Sequence, residues 1–240
     1  MLRPYRALPL LLLLGAMHAQ AAEFRSSKPE RRTEYWLQRQ EAIAAELQDT
    51  QRLSQVRLVF LGDSITDFWQ LDANPWVSGQ TFGRQSWLES FNGTPAKNTA
   101  INLGISGDRT EHVLHRILPK AEGGLGELDP PELQPEFVVL MIGINNTWAW
   151  AEENPVVDSV LAGVTEVVEA VHRRKPGARI ILQSLIPISE EAKNREVVLP
   201  INRRLEQLTK QAPYAGYTVF LDMYPTFANA DGTQNTAHYV

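Results

Sequence analysis

Three short apolar runs in this chain each end in a glycine, and polar residues follow each glycine. The runs cover residues 56–62, 100–104 and 137–143, and the closing glycines are Gly62, Gly104 and Gly143. Apolar runs of this length bounded by glycine indicate buried β-strands. The carboxyl ends of parallel strands meet at one edge of a sheet, so the three polar turns are expected to lie close together.

Helical and strand-like segments alternate along the rest of the chain. Apolar residues recur at helical spacing in 156–174, and 33–49 and 194–211 also read as helices. Two further strands are predicted at 179–185 and 217–221. This alternation predicts an α/β fold with a central parallel sheet of about five strands. The 240 residues, 43% of them hydrophobic, suffice for one domain with a large core and exclude wholesale disorder.

The first 22 residues have the pattern of a secretory signal peptide. Arg3 and Arg6 precede an apolar stretch with five consecutive leucines, and Ala19-Gln20-Ala21 follows as a small-x-small cleavage pattern. The apolar stretch is too short to span a bilayer, so no stable membrane anchor is expected. We predict a secreted or periplasmic protein whose folded domain covers residues 23–240.

The polar turns contain the parts that acyl transfer requires. Ser64 lies on a tight turn between a strand and a helix, where its hydroxyl can act as a nucleophile. A helix that begins there also offers free N–H groups to a developing anion. Gly104 lets the backbone approach a substrate closely, and the Asn145 amide is an uncharged donor. Taken singly, these residues are equally typical of helix caps and ordinary turns.

Taken together, the three turns resemble conserved blocks of the GDSL/SGNH hydrolases. The blocks are Leu61-Gly62-Asp63-Ser64-Ile65-Thr66, then Asn102-Leu103-Gly104-Ile105-Ser106-Gly107-Asp108, and Gly143-Ile144-Asn145-Asn146. The third is similar to the branch of platelet-activating-factor acetylhydrolase catalytic subunits.

The resemblance implies a flavodoxin-like three-layer fold and an esterase. It makes Ser64 the nucleophile, and the oxyanion hole would comprise the Ser64 and Gly104 N–H groups and the Asn145 side chain. Asp63, Asp108, Asn146 and Trp148 are candidates for the substrate pocket, and Asp63 is expected to stabilise the turn.

The family's fourth block, Asp-x-x-His, has no counterpart in this sequence. His238 lies near the expected region, but Asn235 stands three residues before it, and an amide cannot stabilise an imidazolium as a carboxylate does. We therefore expect a C-terminally truncated domain without its last helix, with one sheet face under-covered. Such a chain would be weakly active or inactive.

The predicted substrates are short acyl esters, in particular acetyl esters, and carbohydrates are the candidate alcohol components. Four tryptophans in loops after the first and third strands favour either ordinary loop anchoring or a wall for a sugar or small acyl group. They are Trp69, Trp76, Trp148 and Trp150. A lysophospholipase or thioesterase is an alternative within the hydrolases. A non-catalytic glycan-binding protein is the alternative from another class.

No cofactor, metal or nucleic acid is predicted as a partner. The chain has no cysteine, and His112 and His115 lack a visible third ligand for zinc. The net charge of −5 argues against nucleic-acid binding. The basic residues 172–175 are typical of a helix C-terminus, although an anion site is an alternative. The oligomeric state is not set by any sequence feature.

Overall fold

The computed structural model describes residues 23–33, 35–74, 78–94 and 98–239. The predicted signal peptide, residues 1–22, and Trp76 lie outside these described residues. No helix in the described part of the chain is long and apolar enough to cross a membrane.

Five parallel strands form one sheet in the order β2-β1-β3-β4-β5. They are β1 (Leu58–Gly62), β2 (Ala100–Gly104), β3 (Phe137–Met141), β4 (Arg179–Gln183) and β5 (Thr218–Leu221). Gly62 at the end of β1 pairs with Gly104 and with Met141, so the first three turns leave the sheet at the same edge. The predicted α/β fold with five parallel strands is confirmed.

The helices of the described residues lie between and beside these strands. They are α1 (Tyr35–Glu46), α2 (Thr50–Leu53), α3 (Ser64–Asp67), α4 (Arg84–Ser90), α5 (Thr110–Ile117), α6 (Val156–Arg174), α7 (Glu191–Lys193), α8 (Leu199–Thr209) and α9 (Tyr224–Phe227). The predicted helix at 194–211 begins instead with a π-helical turn, Asn194–Val198, before α8. Pro200 explains the difference, because its ring has no N–H and crowds the carbonyl four residues earlier.

One face of the sheet is buried over β1, β3 and β4. Alternate residues of the strands, such as Leu61, Leu140 and Leu182, are completely inaccessible, and the valines on the inner side of α6 pack in the same core. The basic end of α6 is engaged by the protein itself: Arg174 pairs with Asp129, and the Lys175 Nζ donates to the Pro130 carbonyl at 3.1 Å. The structure therefore agrees with a helix C-terminus there.

The opposite face is covered unevenly. Near β1, Trp87 and Phe91 pack edge-on against Phe60, with ring centroids 5.0 Å away in each case. At the far edge, Val219 and Leu221 of β5 are 44% and 42% exposed. In the described part of the chain, no helix longer than four residues follows β5. These two side chains form a partly exposed apolar patch at this edge of the described structure.

Candidate active site

The first turn places Ser64 at the start of α3. Asp63 caps this helix, because its Oδ1 accepts a hydrogen bond from the Ile65 N–H at 3.0 Å. Gly62 must be a glycine, since a Cβ there would meet Thr66 and would lie 2.5 Å from the Met141 carbonyl oxygen. Ser64 itself is half-buried and lines a cavity.

The second turn does not present the Gly104 N–H as the sequence predicts. That N–H donates to Asn102 Oδ1 at 2.8 Å, and the Asn102 amide donates in turn to the Thr66 carbonyl at 2.7 Å. A Cβ at position 104 would collide with the backbone of Thr66 and Asp67. Gly104 is therefore required for close packing of β2 against α3, and its N–H is already committed.

Gly107, three residues further along, has an uncommitted N–H that the sequence patterns did not single out. On either side of it, the Ser106 N–H donates to Asp67 Oδ2 at 2.8 Å and the Asp108 N–H donates to the Ile105 carbonyl at 3.1 Å. The Gly107 N–H has no hydrogen-bond partner among the described residues. The φ of Gly107 is +79°, a left-handed conformation that favours glycine, and this backbone angle marks the position in the structure.

The third turn places Asn145 in the same cavity as Ser64. The Asn145 Nδ2 donates to the Asp108 carbonyl at 2.8 Å, which leaves a second N–H on that nitrogen. The neighbouring Asn146 is buried instead: its Oδ1 accepts from the Thr110 N–H at 3.0 Å, and its Nδ2 donates to Glu111 at 2.7 Å. Asn145 faces the cavity, while Asn146 connects this turn to α5.

Of the four residues proposed for the substrate pocket, only Trp148 lines the cavity. Asp63 and Asp108 are completely buried, and Asn146 is 2% exposed. The Asp108 carboxylate accepts from Arg32 at 2.7 Å and from the buried Arg116 at 2.9 Å. These three polar residues therefore lie below the site and hold its turns in place.

Burial, together with the nearby Asp108 and Asp67 carboxylates, raises the pKa of Asp63 to about 7, and the hydrogen bond from the Ile65 N–H opposes this shift. Its Oδ2 is buried and has no hydrogen-bond partner among the described residues. This arrangement suits a neutral carboxylic acid, because an unpaired buried charge is costly.

The raised pKa of Asp63 predicts a pH-dependent stability. The folded protein retains the Asp63 proton up to a higher pH than the unfolded chain does. The folded state is therefore favoured at low pH, and stability falls as pH rises from about 4 to about 7, by up to about 1.4 kcal/mol per unit. Urea denaturation across this range should show this slope in the wild type and lose it in Asp63→Asn, which keeps a capping oxygen. Identical slopes in the two proteins would contradict the prediction.

The cavity around Ser64 has a volume of about 670 Å³ and mainly apolar walls. Its lining includes Trp69, Phe82, Leu185, Pro187 and residues near the end of the described chain. The Lys193 ammonium lies over the Trp148 ring, 3.9 Å from its centroid. Trp150 is 67% exposed and does not line the cavity.

His238 also lines this cavity. Its ring packs edge-on against Phe227, with centroids 5.9 Å apart. The Asn235 side chain does not hold that ring, since its Oδ1 accepts a hydrogen bond from the Ala237 N–H at 3.2 Å. The site thus contains an imidazole without a carboxylate partner in the described part of the chain.

His112 is hydrogen-bonded to the residue that caps its helix, whereas the Nε2 of His115 is buried with no hydrogen-bond partner among the described residues. His112 Nδ1 accepts from the Arg109 N–H at 3.1 Å, and its Nε2 lies 3.0 Å from the Arg109 guanidinium. Burial, aided by Arg109 and other arginines, lowers the pKa of His112 to about 2. His115 packs near Trp36. Within the described ranges, no group of three or more His, Cys, Asp or Glu side chains could hold a metal ion.

Residues 60–238 match the sequence model of the GDSL-like lipase/acylhydrolase family. The chain belongs to this family. It is 30% identical over 200 residues to platelet-activating factor acetylhydrolase IB subunit alpha1 of Bos taurus, covering 82% of this chain and 70% of that protein. The alpha2 subunit of Rattus norvegicus is 30% identical over 176 residues, covering 73% and 62%. The family assignment predicted from the sequence blocks is confirmed.

Solved structures of other proteins share the fold. A GDSL-like lipase from Bacteroides thetaiotaomicron superposes with a TM-score of 0.51 at 22% identity, covering 86% of each chain. A carbohydrate esterase family 2 enzyme from Corynascus thermopiles gives a TM-score of 0.53 at 13% identity, covering 70% of this chain and 56% of that one. At these identities the structural likeness supports the fold alone.

Proposed function

We propose that this esterase hydrolyses short acyl esters, with Ser64 as the nucleophile. The observation that carries the proposal is that Ser64 and Asn145 line one cavity at the end of the sheet where three strands terminate. The Ser64 hydroxyl would attack the ester carbonyl, form an acyl-enzyme and release the alcohol. Water would then cleave the acyl-enzyme.

The oxyanion of the tetrahedral intermediate would be held by three N–H donors. They are the second N–H of Asn145, the N–H of Ser64 at the start of α3, and the N–H of Gly107, which replaces Gly104 in this role. Two observations support this role for Gly107. Its N–H has no partner among the described residues, and the carbonyl of the next residue, Asp108, accepts the hydrogen bond from Asn145. Loss of one such donor typically costs about 10²–10³-fold in rate.

Turnover by this site is proposed to be slow. His238 is near enough to line the cavity, but no carboxylate among the described residues orients its ring or stabilises its charged form. In serine triads that carboxylate contributes roughly 10⁴-fold, so an imidazole alone is a poor general base.

The acetyl group is the proposed acyl group, and a carbohydrate is a proposed alcohol. Support comes from the two acetylhydrolase relatives and from Trp69, which is 40% exposed at the cavity wall and could stack on a sugar ring. Export is also part of the proposal and depends on the sequence of residues 1–22. The mass of the protein recovered from periplasm or medium tests cleavage before Glu23.

A longer acyl chain is the second candidate, as in a lysophospholipase or thioesterase. The specific observation in its favour is the size and apolar lining of the cavity, which exceed what an acetyl group needs.

A series of p-nitrophenyl esters from acetate to palmitate distinguishes these candidates. Under the acetyl proposal we expect kcat/KM to fall by at least about tenfold between acetate and octanoate, because an acyl site fitted to an acetyl group excludes the added methylenes and so weakens transition-state binding. The Ser64→Ala protein, measured in parallel, corrects for hydrolysis that does not depend on the site.

A rate that rises with chain length would instead support the second candidate. Absence of Ser64-dependent hydrolysis with every ester, together with calorimetric binding of acetylated oligosaccharides, would support the non-catalytic glycan-binding alternative.

A further inference from the structure

The segment of residues 25–32, here called the N-terminal strap, packs against the second turn and α5. Ser26 is completely buried, and its hydroxyl donates to the Ser159 carbonyl at 2.8 Å. The Thr110 hydroxyl donates to the Ser26 carbonyl at 2.7 Å, and the Glu30 N–H donates to the Glu111 carbonyl at 2.9 Å. The strap is thus attached to the helix that begins three residues after Gly107.

Arg32, at the end of the strap, bridges the two residues that flank Gly107. Its Nη1 donates to the Ser106 carbonyl at 2.9 Å and to Asp108 Oδ1 at 2.7 Å. A Cβ on Gly107 would lie 3.0 Å from Arg32 Nη2, so the guanidinium covers this glycine closely. The side chain is 21% exposed, while the Asp108 carboxylate is fully buried.

Arg32 contacts the residues that orient two of the proposed oxyanion donors. Ser106 and Asp108 define the turn that orients the Gly107 N–H, and the Asp108 carbonyl accepts the hydrogen bond that orients Asn145. We propose that Arg32 is a positioning residue that holds Gly107 and Asn145 in register for the tetrahedral intermediate. This inference rests on the proposed function, and it assigns a part in catalysis to the N-terminal strap.

Replacement of Arg32 by alanine should lower kcat more than it raises KM. Donors displaced by about 1 Å lose most of their effect on the transition state, whereas the cavity walls that bind the ester stay in place. We expect kcat for p-nitrophenyl acetate to fall by about 10- to 100-fold, with KM changed by less than about threefold. Arg32→Lys, which keeps the charge but not the planar fork, should recover only part of the loss.

The neighbouring Arg31→Ala is the matched control, because Arg31 is exposed, and both kinetic constants should stay near those of the wild type. Guanidinium ion at non-denaturing concentration should raise kcat of Arg32→Ala and not that of the wild type. A loss caused only by reduced stability would not be rescued in this way. Unchanged kcat in Arg32→Ala, or a loss equal to that in Arg31→Ala, would overturn the proposal.

Amide hydrogen exchange gives a readout that needs no turnover. Peptides that contain residues 105–109 should exchange at least about tenfold faster in Arg32→Ala than in Arg31→Ala. Unchanged exchange would overturn the positioning role even if the enzyme is active. Absence of Ser64-dependent hydrolysis in the wild type would count against the proposed function alone, since the exchange comparison still tests Arg32.

Discussion

Replacement of Ser64 by alanine is expected to lower the hydrolysis of p-nitrophenyl acetate by at least about 100-fold. Ser64 is held at the start of α3 beside Asn145, and a hydroxyl fixed next to a bound carbonyl has a large advantage over bulk water. The nitrophenolate is a good leaving group, so the assay does not need a strong general acid. The measurement is the initial rate at saturating ester, corrected for the uncatalysed reaction.

Ser189→Ala is the matched control, because Ser189 lines the same cavity but is exposed and has no part in the proposed chemistry. Its rate should stay within about threefold of the wild type. A fluorophosphonate probe should label the wild-type protein at Ser64, and peptide mass spectrometry should find no label in Ser64→Ala. A rate that survives in Ser64→Ala would remove Ser64 as the nucleophile.

His238→Ala tests the proposal that His238 is a poor general base. No carboxylate among the described residues is hydrogen-bonded to the His238 imidazole, so His238 is expected to contribute little to catalysis. The rate should therefore change by less than about threefold. A loss as large as that in Ser64→Ala would instead make His238 the general base.

The fold could be predicted because its signals are local. Strands β1 and β3 are continuous apolar runs followed by glycine, and β2 is a weaker run interrupted by Asn102; such runs are typical of strands buried in a parallel sheet. The helix α6 shows its buried valines at helical spacing and has the predicted bounds. Helix starts were less predictable, as the π-helical turn before Pro200 shows, since it depends on how one ring packs against the preceding turn.

The sequence could predict only those site residues whose positions follow from the order of the strands along the chain. The positions of Ser64 and Asn145 follow from the strand ends, and both line the cavity. The choice between Gly104 and Gly107 does not follow, because both are glycines in one block and a side chain two residues away occupies the Gly104 N–H. The sequence did not predict the burial of Asp108 either, since one of the two arginines that pair with it, Arg32, comes from a distant part of the chain.

The most demanding interaction near the second turn is a buried group of three charged side chains, Asp108, Arg116 and Glu127. Arg116 is completely buried, and it donates to Asp108 at 2.9 Å and to Glu127 at 2.5 Å. Burial raises the pKa of both carboxyls, and Arg116 opposes this shift in each case. The carboxylates therefore depend on Arg116 to remain charged inside the protein.

Arg116→Ala is expected to lower the free energy of unfolding by about 3–5 kcal/mol at pH 7, because it leaves two buried carboxylates without their main counter-charge. The loss should be smaller at pH 5, since the raised pKa of both carboxyls favours their protonated form as the pH falls, and a neutral carboxyl needs no cation. Urea denaturation at both pH values measures this. Arg57→Ala is the control, since it removes only a half-exposed pair with Glu136 at 3.7 Å and should cost less than about 1 kcal/mol. A similar, pH-independent loss in both variants would show that Arg116 contributes packing alone, and the second turn would then not depend on the buried charges for its position.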